Sequence, residues 1–185
     1  MTKITDDSQK YSIGFTLIEL LIVIAIAAIL ATLAGPFFIA TTQRFRSLSE
    51  SGTFAGDLQY ARSEAIKQGL PVTVCASFDG STCAATNSWH HGWIIFSDPA
   101  ANQTVSPGTI LRKQKSWVGT DTFIASSSVA AITYRRDGFR SMPSNSSGII
   151  TVTLHTSPAN NNATQCITVS ATGRQRTLSY GTGCI

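Results

Sequence analysis

Near the C-terminus the run Gly173-Arg174-Gln175-Arg176 sets two guanidiniums two residues apart in a stretch otherwise without charge, within a chain only 13% charged. In an extended segment residues i and i+2 share a face, so both cations would point the same way. Each is a planar fork of donors that matches the oxygens of a phosphate, and a bound anion would relieve their mutual repulsion. Gly173, just ahead, suits a tight turn with close backbone approach. On these residues alone two readings stand, a phosphate-binding pair and a solvated turn. Charge placement adds weight to the first. From Leu111 onward eight arginines and lysines stand against two acids, Asp121 and Asp137, a surplus of six in a chain whose net charge is +4. Such asymmetry favours nucleic acid or an anionic surface, the plain alternative being a solvated basic face. Lys113, Lys115 and Arg140 are further candidates for the same polyanion, although Arg112-Lys113-Gln114-Lys115 also reads as the solvated face of a strand.

Other chemistry has less support. Three histidines (His90, His91, His155), scarce and scattered acids, and no nucleophile elbow argue against an enzyme. Adjacent residues such as His90 and His91 converge poorly on one metal, and no cysteine or acid is spaced to complete a site, so neither a metal nor any other cofactor is expected. Gly181-Thr182-Gly183-Cys184 lacks the strand-to-helix setting of a phosphate loop. Trp89, Trp93, Trp117 and Tyr134 could stack on bases, but a β-rich domain buries such residues routinely. The four cysteines fit no zinc spacing and suggest two disulfides in an oxidising compartment. Sequence allows three connectivities, of which neighbour pairing, Cys75–Cys83 and Cys166–Cys184, is favoured because each pair brackets turn-rich sequence.

Three kinds of element must position these residues. Residues 15–34 are almost wholly apolar, and twenty residues at about 1.5 Å each match the roughly 30 Å hydrocarbon core of a bilayer. A signal peptide cleaved after Ala27 or Ala34, releasing a soluble domain, and a plain anchor are the simpler readings. Flanking charge, Lys3 and Lys10 before and Arg44 and Arg46 after, does not fix orientation, whereas the cysteines place the C-terminal side outside the cytoplasm. Glu19 disturbs both simple readings, because a carboxylate in an apolar run needs a partner. Cleavage ahead of Phe15, one helical turn away, would supply an ammonium on this or a neighbouring chain. From 37 to 68 the pattern becomes amphipathic, with Phe45, Leu48, Ala55, Leu58, Ala61 and Ala65 on the apolar face and Gly69-Leu70-Pro71 as the stop. Eight short β-rich runs follow, at 71–76, 92–97, 109–117, 122–126, 131–136, 148–156, 165–171 and 174–180, with no second helical pattern. The expected fold is α+β, a long N-terminal helix packed on a C-terminal antiparallel β-sheet head.

The stretch 14–31, GFTLIELLIVIAIAAILA, resembles the N-terminal signature of type IV prepilins and type II secretion pseudopilins. The resemblance implies a leader at 1–14, cleaved after Gly14 by a prepilin peptidase, with N-methylation of the new terminus Phe15. It also implies Glu19 as the carboxylate that meets a terminal amine during assembly, a helix break near Pro36, and a type IV pilin-like fold. The head is similar to the GspH/FimT branch through DLQYARSEAIKQGLPVTVCAS (57–77), DGSTC (79–83), GWIIFSD (92–98) and ILR (110–112). Val118 to Asn162 is alike only in general character. The parts are then leader 1–14, transmembrane and filament-core helix 15–35, amphipathic continuation 36–68, and head 69–185. Gly173-Arg174-Gln175-Arg176 is similar to the G-R-x-R motif of FimT-type minor pilins, which implies sequence-independent binding of double-stranded DNA for natural transformation. The other function implied is that of a minor pseudopilin, a structural subunit near the filament tip of a type II secretion system. Either way the partners are other pilin or pseudopilin subunits. The location implied is the bacterial inner membrane, crossed once with the head in the periplasm, and afterwards the filament.

Overall fold

A computed structural model describes residues 14–142, 148–181, 183 and 184, the side chains of 33–37 and 127 excepted. The predicted leader, Gly14 apart, lies outside these residues. The chain divides into two compact units, one ending at Ile39 and one running Ala40–Ile185. Helix α1, Leu17–Gln68, begins in the first and ends in the second. At its start the backbone N–H of Glu19 donates to Thr16 Oγ1 at 3.3 Å, a side-chain oxygen satisfying one of the free N–H groups of a first turn. Phe15, Leu17, Ile18 and Leu20 to Ile24 are all exposed. Among the described residues no helix is long and apolar enough to cross a membrane. The segment expected to do so includes residues 33 and 34, whose side chains are not described.

In the second unit α1 ends where Gly69 takes φ +68°, the left-handed conformation that closes helices. Eight strands follow: β1 (Val72–Ala76), β2 (Gly92–Ser97), β3 (Ile110–Lys115), β4 (Thr122–Ala125), β5 (Ala131–Tyr134), β6 (Ile149–His155), β7 (Gln165–Ser170) and β8 (Gln175–Ser179). They form two four-stranded sheets, β3-β2-β1-β5 and β4-β6-β7-β8, and every pairing is antiparallel. The expected α+β fold is therefore present, with the head built of two sheets.

The buried stripe of α1 differs from the predicted one. Phe54, Leu58, Ala61 and Ala65 are fully buried, while Phe45 and Leu48 are 68% and 44% exposed. Phe54 is the anchor, its ring edge-on to Trp89, Trp93 and Phe123 at 4.8–5.2 Å between centroids. One, two and three turns earlier the inward positions are polar, Ser51, Ser47 and Gln43. Gln43 and Ser47 face loop backbone, whereas the Ser51 hydroxyl donates to Leu48 O of its own helix. Gln43 Nε2 donates to the carbonyl of Pro158, the Ser47 hydroxyl to that of Ala163, and carbonyls buried there require donors. Two ion pairs fasten the helix. Arg46 holds both oxygens of Asp121 at 2.5 and 2.7 Å, and buried Asp57 accepts from Trp93 Nε1 at 2.8 Å and Arg112 Nη1 at 2.6 Å.

The sheets differ in what covers their outer faces. In the first sheet β1 and nearly all of β2 are buried on both sides. Cys75, Ile94 and Phe96 form a second small core with Cys83 and Val105, brought there by the loops after β1 and β2, and with Ile110 of β3. In the second sheet β6 alternates between buried and less buried positions, the signature of a sheet with one solvated face.

Candidate nucleic-acid interface

The hairpin β7–β8 places both sequence-selected arginines on the edge of the second sheet. Its turn is closed by Gly173 N donating to Ser170 O at 3.0 Å and Ser170 N donating to Arg174 O at 2.9 Å. Gly173 has φ +73°, and a Cβ there would lie 2.2 Å from the carbonyl oxygen of Gly138. Only glycine lets the turn and the 135–139 loop approach so closely.

Register decides where the arginines point. Val169 pairs with Gln175 and Thr168 with Arg176. Val169 is buried, and Gln175 Nε2 donates to Ala55 O on α1 at 2.7 Å, so both face inward. Neighbours along a strand alternate, which turns Arg176 and Arg174 outward, and both are exposed. Thr168 opposite Arg176 and Thr151 opposite Thr168 extend a row of hydroxyls across β7 and β6, with Ser170 and Thr153 beside it. Strands β6, β7 and β8 carry no acid. The face thus offers guanidiniums to an anion without local repulsion, while the hydroxyls of Thr168 and Ser170 donate to the carbonyls of Arg176 and Arg174 and brace the hairpin.

Both disulfides join neighbouring cysteines, Cys75–Cys83 and Cys166–Cys184. Cys166 pairs with Leu178 in the hairpin, so its bond to Cys184 carries the C-terminal segment onto the outward face and closes a loop containing both arginines. Cys184 is fully buried. Beside it lies a shallow depression of about 540 Å³ lined by Ile124, Ser126, Thr151, Thr153, His155 and Gly183.

The other candidates are placed elsewhere. Lys113 and Lys115 are exposed on β3, the edge strand of the first sheet, whereas the arginine pair belongs to the second. Their neighbour Arg112 turns inward to Asp57 and lies 4.0 Å over the ring of Tyr60. Arg140 corrects the sequence reading. Its backbone bridges Tyr134, which turns the side chain inward, and it is only 4% exposed, so it cannot form part of an outer surface. His90 accepts from the backbone N–H of Phe123 at 3.3 Å, and burial, then the neighbouring His91, lowers its pKa. Among the described residues no group of three metal-ligating side chains occurs. Sequence reading overlooked the hydroxyl row. Its signal was present as threonine and serine at every second position, Thr151 and Thr153 in β6 and Thr168 and Ser170 in β7.

Residues 50–173 match the family described as Type II transport protein GspH, and residues 10–35 match the prokaryotic N-terminal methylation motif. No curated protein matches the sequence. Among solved structures, the type IV minor pilin FimU of Pseudomonas aeruginosa is similar with a TM-score of 0.59 at 23% identity, over 75% of this chain and 92% of FimU. The minor pseudopilin EpsH from the Type 2 Secretion System of Vibrio cholerae gives 0.51 at 13% identity, over 73% and 98%. At these identities the likeness is one of fold: a long N-terminal helix and antiparallel sheets. With the family match spanning most of the chain and the methylation motif at its start, the chain belongs to the GspH family of minor pilins and pseudopilins.

Proposed function

We propose that this chain is a minor type IV pilin that binds extracellular double-stranded DNA, without regard to sequence, for uptake in natural transformation. The observation that carries this reading is the outward, disulfide-framed pair Arg174 and Arg176 on a face free of acids. Guanidiniums at the turn and first residues of an edge hairpin meet the phosphate backbone and touch no base edges, so affinity is electrostatic and indifferent to sequence. Lys113 and Lys115 serve as secondary contacts from the first sheet. The rest of the account follows from the methylation motif. A prepilin peptidase cuts after Gly14, Phe15 is methylated, and residues 15–35 hold the chain in the inner membrane with the head in the periplasm until it enters a filament with other pilins. There Glu19 meets a terminal amine. The test is binding of two duplexes of equal length and unrelated sequence to the full chain in detergent micelles. Both should bind with the same affinity, and Arg174→Ala with Arg176→Ala should remove most of it. Undiminished binding by the double variant would remove this face from the account.

A second reading draws on the family description, a type II transport protein, and on the fold shared with EpsH. In that reading the chain is a pseudopilin near a filament tip, and the arginines meet acidic groups of a neighbouring subunit. It is favoured if the double variant binds DNA as the wild type does yet loses a crosslink to another pseudopilin.

A further inference from the structure

Among the described residues, the buried side-chain polar atoms without a hydrogen-bond partner are Glu50 Oε2 and four donors, Arg62 Nε, Tyr134 Oη, Arg140 Nε and Arg140 Nη2. The four donors gather under the β7–β8 turn. Tyr134 and Arg140 are antiparallel bridge partners and so point to one side. Arg140 N donates to Ala171 O, and Arg62 Nη2, on α1, donates to Thr172 O at 3.3 Å, both carbonyls of that turn. The Cβ position of Gly138 lies 3.2 Å from Arg62 Nε, and that of Gly173 3.3 Å from Tyr134 Cε1.

No local acid serves these donors. Asp137 is taken by Arg135, and Glu64 by Lys67 and Gln68. Glu50 stands three turns up α1 from Arg62, about 18 Å at 1.5 Å per residue. Arg46 shows what the free edge of Arg140 is suited to hold, since its Nε and Nη2 grip the two oxygens of Asp121 side-on. The same edge of Arg140 has no hydrogen-bond partner. A water molecule could satisfy the tyrosine hydroxyl, but it would leave the buried Arg140 guanidinium without a counter-charge.

We propose that Arg62, Tyr134 and Arg140 form a site for one small tetrahedral oxyanion, of the inorganic phosphate and sulfate class, which ties the β7–β8 turn to α1. The site is separate from the outward arginines, and Arg140, 96% withdrawn from solvent by its 4% exposure, is out of reach of a duplex backbone. Half-exposed Arg62 stands at its rim. The anion would bind through these four donors, with no covalent step, and its occupation would hold the G-R-x-R turn in place.

The test is thermal unfolding of the full chain in detergent micelles, with sodium phosphate, sodium sulfate or sodium chloride at matched ionic strength. Phosphate and sulfate should raise Tm in a saturable way, by roughly 3 to 6 °C at about ten times Kd, beyond any effect of chloride. The rise should persist in Arg174→Ala/Arg176→Ala, where duplex DNA should add none, and vanish in Arg140→Met. Tyr134→Phe, which keeps the ring, should weaken the apparent phosphate affinity and so supplies a second variant if Arg140→Met does not fold. A wild-type response no larger than that to chloride overturns the site. So does a rise that disappears with the outer arginines but survives in Arg140→Met or Tyr134→Phe unchanged. Because the outer arginines are dispensable here, this result and the DNA-binding result can fail independently.

Discussion

Arg174 and Arg176 depend on the residue before them. The turn at Gly173 combines φ +73° with a Cβ position 2.2 Å from the oxygen of Gly138, a backbone atom that cannot swing aside. Gly173→Ala should therefore cost about 1–3 kcal/mol in urea unfolding, and it should lower DNA affinity by displacing both arginines although it removes no charge. Unchanged stability would mean that the 135–139 loop yields freely. The need for glycine, and the shared direction of two residues spaced i and i+2, were legible in four letters of sequence. The fate of Arg140 was not. As one of a run of basic residues it reads as a further contact for a polyanion, and only the bridge to Tyr134 and the covering turn at 171–173 bury it. Burial of a cation depends on contacts distant in sequence, and Arg62 and Thr172, which close the same corner, are 110 residues apart.

The strands and the end of α1 were readable because each is punctuated locally by glycine, proline or polar clusters, and all eight runs became β1 to β8. The helix face was misread. Phe45 and Leu48 fit an apolar period, yet the inward positions there are Gln43, Ser47 and Ser51, and Gln43 and Ser47 serve loop carbonyls that hydropathy cannot anticipate. The same stretch holds Glu50, whose carboxyl is pushed up to about 7, first by burial and next by the negative charge of Asp121, against an ordinary 4.5. Between those pH values the folded chain binds more protons than the unfolded chain, so stability should fall as pH rises from about 4.5 to about 7 and level off above. With solvent screening of this half-buried group discounted, the fall is about 1 kcal/mol. Glu50→Gln should flatten it and exceed the wild type in stability at pH 8, as urea unfolding at pH 5 and pH 8 would reveal. An identical slope in both proteins would assign the pH dependence elsewhere. The hairpin carries its own prediction. Replacing Cys166 and Cys184 by alanine opens the loop that frames the arginines, and should cost about 2–4 kcal/mol of stability. DNA affinity should fall with it, since the C-terminal segment is no longer fixed on the outward face. Full DNA binding by this variant would mean that the strand pairing alone positions the pair.

At the scale of the whole chain, one unit is an N-terminal stretch whose described large apolar side chains lie uncovered, and the other is a β-rich head with two disulfides. Phe15 is 79% exposed and Leu17 77%, surface that an isolated soluble chain rarely presents so continuously and that lipid or neighbouring helices must cover. In the proposed account the mature chain begins at Phe15 with a methylated amine, which mass spectrometry of the chain from its native membrane would detect. A terminus after Ala27 or Ala34 would instead mean release by signal peptidase. Family membership and fold were legible from the N-terminal motif and the helix-to-β order. DNA as partner was not fixed by either, because pilins and pseudopilins share both, and the choice rests on two side chains and the face around them. The most direct measurement is therefore the salt dependence of duplex binding by the full chain and by Arg174→Ala/Arg176→Ala. Two phosphate contacts give a slope of log K against log salt shallower in the double variant by roughly 1.8, at about 0.9 per contact. Parallel lines of equal affinity would contradict the assignment of DNA to this face.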